Sequence, residues 1–222
     1  MANQQDVIRF DGVEGSGIID ASPGNLNGES ASPAGGATLK RLAVSGLFLF
    51  DDPSRRARAA AILRRLPPLR GAPVRIQGAR GLRDRSGPVH AGSFLRERRI
   101  AFDCTRDEFP RIFVHEVAHF VWLRLGNPAR WSYERVLRAE FAAGVTGELG
   151  WSAEWRKRAL SPRARRARSV AWREYCCESF CDTAAWLWSG IRRHAEFTLP
   201  AGPRAARARW FARTLGRGPL SI

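Results

Sequence analysis

Histidines are scarce in this chain of 222 residues, and two of the four stand close together in His115-Glu116-Val117-Ala118-His119. On a helix this spacing sets the two imidazoles about 40° apart around the axis and about 6 Å apart along it, within reach of one metal ion. A glutamate beside the first histidine can lean over the same ion and take a proton from water bound to it. Ile112, Phe113, Val114, Val117, Ala118, Phe120 and Val121 around it are uncharged. The segment therefore reads as a buried helix, not an exposed one whose histidines pair with surface carboxylates.

The pattern H-E-x-x-H on a helix carries zinc in many hydrolases of peptide bonds. A catalytic zinc ion needs a third protein ligand and one position left for water. Glu178, Glu140, His194 and His90 are the candidates. A zinc-bound histidine commonly donates its other ring N–H to a carboxylate or carbonyl. Asp182 stands one helical turn after Glu178 and faces the same way, whereas the residue one turn after Glu140 is Gly144. This favours Glu178 as the ligand and Asp182 as the residue that orients a histidine, with Glu140 kept as the alternative.

These positions resemble the gluzincin metallopeptidases, in which a later helix supplies the third ligand as Glu178-x-x-x-Asp182 does here. Glu178-Ser179-Phe180-Cys181-Asp182 is also similar to the E-x-F-A-[DE] segment of the compact members, the minigluzincins. The resemblance spans roughly residues 42–190. It implies an α+β, zincin-like fold: a small mixed sheet packed on an active-site helix and a glutamate helix. It further implies a zinc ion held by His115, His119 and Glu178, with Glu116 as general base. Two departures stand out. The interval from His119 to Glu178 is longer than is usual for the thermolysin type, and Glu140 sits nearer that spacing. No family histidine or tyrosine that steadies the oxyanion can be matched. Tyr175, His194 or an arginine is left for that task, and Tyr175 lies one turn before Glu178.

The elements that must position these residues follow from periodicity and breakers. Leu42 to Phe50 reads as a buried strand, and Ser54 caps a helix running to Leu66, before Pro67-Pro68. Val74 to Gln77 is a second strand. Val89 to Leu95 and Ile100 to Cys104 alternate as a hairpin turning near Arg96-Glu97. The strand near Ala91 to Leu95 is expected to border the cleft, where an extended peptide could pair with it. Asp107 to Leu125 is the histidine helix, closed by Gly126-Asn127-Pro128. Further helices are expected from Pro128 to Leu149, Trp151 to Leu160, Pro162 to Trp188 and Pro203 to Leu215, the last with Ala206, Trp210, Phe211 and Leu215 on its apolar side.

Residues 1–38, rich in Gly, Ser, Asn, Ala and Pro, read as a disordered tail ahead of one domain over residues 39–222. No apolar run is long enough for a transmembrane helix and no secretory leader is evident, so the expected location is the cytoplasm. Cys104, Cys176, Cys177 and Cys181 are too few and too clustered for a disulfide framework, and they read as small packing residues. The net charge of +16 comes almost wholly from arginine. It would attract polyanions, nucleic acid among them. A basic nucleic-acid-binding protein with a structural zinc, or a DNA-associated protease resembling the SprT-like group, is therefore the alternative. The latter normally uses a third histidine, and none here has convincing spacing.

Overall fold

A computed structural model describes residues 46–84 and 87–222. The expected tail, and the first residues of the expected strand at Leu42, lie outside them. The described residues form a mixed α+β fold with a small mixed sheet and seven helices.

Strand β1 (Phe48–Phe50) opens the sheet, followed by helix α1 (Pro53–Leu63). Asp52, not Ser54, caps this helix: its carboxylate accepts the Ser54 N–H at 2.8 Å, and Pro53 takes the first turn where its missing N–H costs nothing. Strand β2 (Leu69–Arg70) pairs later with the chain end, and β3 (Val74–Gly78) joins the main sheet. The short strands β4 (Arg83–Asp84) and β5 (Gly87–Pro88) pair with each other. Then come β6 (Ala91–Phe94) and β7 (Arg99–Phe102), the expected hairpin. Its turn is closed by Arg98 in the left-handed region at φ 48°, with its guanidinium donating to the Pro73 and Ile222 carbonyls.

The sheet order is β1-β3-β7-β6. β1, β3 and β7 run parallel, and β6 lies antiparallel to β7 at the edge. On it packs α2 (Phe109–Arg124), buried over most of its length. Phe113 of α2 meets Phe48, Phe50, Phe102 and Phe109 with ring centroids 5.5 to 6.3 Å apart. This aromatic cluster joins helix to sheet and fixes the rotation of α2 about its axis.

Helix α3 (Asn127–Ala142) ends well before the expected Leu149. Gly144 and Gly147 turn left-handed, at φ 66° and 80°, and a side chain on Gly147 would collide with the Thr198 carbonyl. Helix α4 (Trp151–Ala159) follows as expected. The long helix expected from Pro162 to Trp188 is two: α5 (Pro162–Arg166) and α6 (Val170–Trp188). Arg168 breaks the run at φ 48°, because its guanidinium clamps Glu134 of α3 at 2.8 and 2.6 Å, and Ser169 caps the new helix. Helix α7 (Ala201–Leu215) starts slightly earlier than expected, and β8 (Leu220–Ser221) pairs in parallel with β2. Strands this short carry no readable alternation, so β2, β4, β5 and β8 escaped the sequence reading.

One buried charge network ties the helices together. Arg207 of α7, wholly buried, grips Glu140 of α3 at 2.9 and 2.6 Å and Glu148 at 2.6 and 3.0 Å. Lys157 of α4 stands 3.2 Å from Glu148. Arginine on the apolar face of α7 is tolerated because two carboxylates meet it. Among the described residues no helix is long and apolar enough to cross a membrane.

Candidate metal centre

Helix α2 packs along α6, and each offers the other an i, i+4 pair. His115 and His119 come from α2. Glu178 with Asp182, and Cys177 with Cys181, come from two neighbouring stripes of α6. All six, and Glu116, are buried.

His115 and His119 point their Nε2 atoms at each other, 3.2 Å apart. Two imidazole nitrogens at that distance need a proton or a cation between them. Glu178 Oε2 lies 3.4 Å from the same nitrogen of His115. Donors set tetrahedrally at about 2.1 Å from one ion stand about 3.4 Å from each other, so both separations are those of ligand edges. The other carboxylate oxygen of Glu178 is buried without a hydrogen-bond partner, 3.9 Å from Arg156 Nη2. Two imidazoles and a carboxylate with an unsatisfied oxygen are a donor set that fits a borderline cation such as zinc.

The outer contacts differ between the histidines. Asp182 Oδ1 lies 2.8 Å from His115 Nδ1, and its second oxygen accepts the Ala153 N–H at 3.2 Å, in the first turn of α4. Gly150, which precedes that helix, lies against the carboxylate: a Cβ there would overlap Asp182. His119 Nδ1 instead faces sulfur, Cys181 Sγ at 3.2 Å and Cys177 Sγ at 3.4 Å. His115, His119 and Cys181 each offer a ligand atom, all within 4.8 Å of one another, a group that could hold a metal ion. Cys181 sits on the Nδ1 edge of His119, whereas the imidazoles meet through Nε2.

Charge follows this arrangement. Burial favours a protonated Glu178, but Arg156, His115 and His119 outweigh it and hold the carboxyl well below the usual carboxylate range. Burial disfavours protonated His119, yet Cys177 and Glu178 overcome it and push the imidazole up to about 9. Cys177, opposed by burial but helped by Cys181 and His119, falls to about 7, while burial drives Cys181 well upward. Without metal, the pocket thus holds a proton on His119 that a cation would have to displace.

Glu116 is held from the sheet side. Ser93 of β6 donates to Glu116 Oε2 at 2.6 Å, which fixes the carboxylate and brings the expected strand to the site. Ser152 of α4 donates to Glu178 Oε2 and accepts from Arg156 Nη1 at 2.8 Å. A cavity of ≈ 20 Å³, room for about one water, is lined by His90, Arg111, His115, Trp151, Ser152 and Asp182 among others. A groove of ≈ 420 Å³ opens beyond it, and Trp151 and Glu196 border both.

Several sequence expectations find their places here. His115, Glu116, His119, Glu178 and Asp182 come together. Glu140 does not, because Arg207 holds both of its oxygens. His194 stands apart, bonded to Glu108 at 2.9 Å. Tyr175, the expected oxyanion donor, is turned away: its hydroxyl donates to Glu148 at 2.6 Å inside the Arg207 network. One turn of helix separates it from Glu178 as anticipated, but Glu148 captures its proton first. His90, another candidate third ligand, lines the cavity beside His115, with its Nδ1 3.3 Å from the Asp103 carbonyl. Reading Cys177 and Cys181 as packing overlooked their contact with His119. Their spacing alone, one residue before Glu178 and Asp182, held that signal. Ser93, Ser152 and Gly150 had no signal in the sequence, since each acts across a long loop. Compared with family models, curated proteins and solved structures, the chain matches none.

Proposed function

We propose that this chain is a zinc-dependent peptidase of gluzincin type, with a zincin-like fold, in which His115, His119 and Glu178 hold the ion. The observation that carries this reading is the convergence of His119 Nε2 and Glu178 Oε2 on His115 Nε2, at 3.2 and 3.4 Å, with Glu116 adjacent in the helix. Glu178 is preferred to Cys181 as third ligand because it approaches the nitrogens that already face each other, while Cys181 lies behind the His119 ring. The Asp182 contact supports the same assignment, since a carboxylate beside His115 Nδ1 favours the tautomer whose Nε2 lone pair is left for the ion.

When bound there, zinc acidifies a water and polarises a substrate carbonyl. Glu116 accepts a proton at its carboxylate and returns it to the leaving amine. Ser93 keeps the Glu116 carboxylate aimed by donating to one oxygen. An extended peptide laid along the β6 edge would bring its backbone beside Ser93 and so beside Glu116. The small cavity and the larger groove both border Trp151 and Glu196, and of the three proposed ligands only His115 lines the cavity. All four cysteines are free, which supports a reducing compartment such as the cytoplasm. The alternative of a nucleic-acid-binding protein rests on net charge. Part of that charge is internal, since Arg111 and Arg207 are buried and bound to carboxylates.

The test combines zinc content with hydrolysis of a disordered polypeptide. Wild type is expected to carry one zinc and to cleave. His119→Ala and Glu178→Ala lose both properties. Glu116→Gln keeps the zinc and loses about 10²-fold or more in rate. Full activity in Glu116→Gln contradicts the mechanism.

A further inference from the structure

Asp182 faces His115, but among the described residues His119 has no carboxylate or carbonyl on its outer nitrogen. The two sulfurs of Cys177 and Cys181 stand there instead. We infer that this thiol pair is the positioning device of His119: it accepts the Nδ1–H and fixes the tautomer that turns the Nε2 lone pair toward the metal. The inference rests on the ligand set proposed above.

Helix geometry makes the pairing systematic. Residues four apart share a stripe, and adjacent residues lie about 100° apart around the axis. Glu178 and Asp182 therefore face His115, one turn up α2, while Cys177 and Cys181 form the neighbouring stripe and face His119. Each histidine of the motif is matched by one i, i+4 pair of α6. The sulfurs lie 3.2 and 3.4 Å from Nδ1, both within range of a hydrogen bond to sulfur. The two thiols also hydrogen-bond each other, which polarises the accepting sulfur. Both are buried, at 2% and 0% exposure, so neither is placed to react with solvent. Cys176, adjacent in sequence, is also buried.

A thiol is a weaker acceptor than a carboxylate. A packing role would need only the volume of the sulfur, whereas a positioning role needs an acceptor. Alanine and serine separate these. The Cys177→Ala/Cys181→Ala double variant is expected to bind zinc about 10- to 100-fold more weakly, as loss of an outer partner does. Cys177→Ser/Cys181→Ser, which restores an acceptor, recovers most of that loss. Nitrogen-15 histidine spectra of the zinc-loaded wild type, which need no variant to fold, are expected to show His119 protonated at Nδ1 and shifted by metal at Nε2. Wild-type zinc affinity in the alanine pair overturns the inference and leaves the ligand set standing. So does a His119 bound to metal through Nδ1. A wild type that takes up no zinc overturns both.

Discussion

A single methyl group placed at Gly150 should weaken the site without touching any of the three proposed metal ligands. The backbone there is extended, at φ −172° and ψ 156°, so alanine brings no conformational strain of its own. Its Cβ, however, would overlap the Cγ and both oxygens of Asp182. Ordinary contact requires about 3.5 Å, so the carboxylate must retreat by about 1 Å. The bond to His115 Nδ1, now 2.8 Å, then passes beyond hydrogen-bond range, and the Ala153 N–H loses its acceptor. Asp182 is buried and packed from all sides, which leaves it no second position of equal quality. Losing an outer partner weakens a metal site about 10- to 100-fold, roughly 1.4 to 2.8 kcal/mol. Breaking a buried charge-assisted bond costs about 1.5 to 3 kcal/mol of stability, about 5 °C in Tm for a chain of this size. Competition titration against a chelator reads the first quantity and thermal unfolding of metal-free protein reads the second. A Gly150→Ala protein that holds zinc within twofold of wild type would refute the claim that Asp182 orients His115.

Arg207→Met leaves Glu140 buried without its counter-charge and Glu148 with Lys157 alone, and should cost about 3 to 5 kcal/mol, a fall in Tm of about 10 °C by calorimetry. The pH dependence of zinc binding follows from His119. Its folded value of about 9 lies above the unfolded 6.5, so in metal-free protein its stabilising contribution is complete below pH 6.5 and is lost as pH rises through 9. Zinc must displace that proton, and apparent zinc affinity should climb about tenfold per pH unit across the same window, then flatten. Glu148 works in the opposite sense. Burial opposes its ionisation, but Arg207 and Lys157 hold it below the usual carboxylate value, so its stabilising contribution is present at neutral pH and is lost in acid as pH falls through that lowered value. Acid unfolding monitored by circular dichroism should therefore shift toward neutral pH in Lys157→Met.

What the sequence could reveal depended on how local the cause was. The histidine helix was legible because its two histidines and its apolar flanks all lie within one segment. Glu178 and Asp182 were legible by the one-turn rule, since a helix repeats on itself whatever it packs against. The break at Arg168 was not, because the clamp on Glu134 comes from a separate helix. Tyr175 failed for a similar reason. Helical spacing gives the face a residue occupies, but the competing acceptor, Glu148, arrives from a loop that two left-handed glycines turn inward. Arg207 lies in an arginine-rich helix, and only its two distant carboxylates make it a core residue.

The central claim is the identity of the third ligand, and X-ray absorption at the zinc edge of the loaded wild-type protein tests it most directly. With His115, His119 and Glu178 as ligands, the first shell holds nitrogen and oxygen alone at about 2.0 to 2.1 Å, including two imidazoles. A sulfur scatterer at about 2.3 Å would place Cys181 in the coordination sphere and contradict the account.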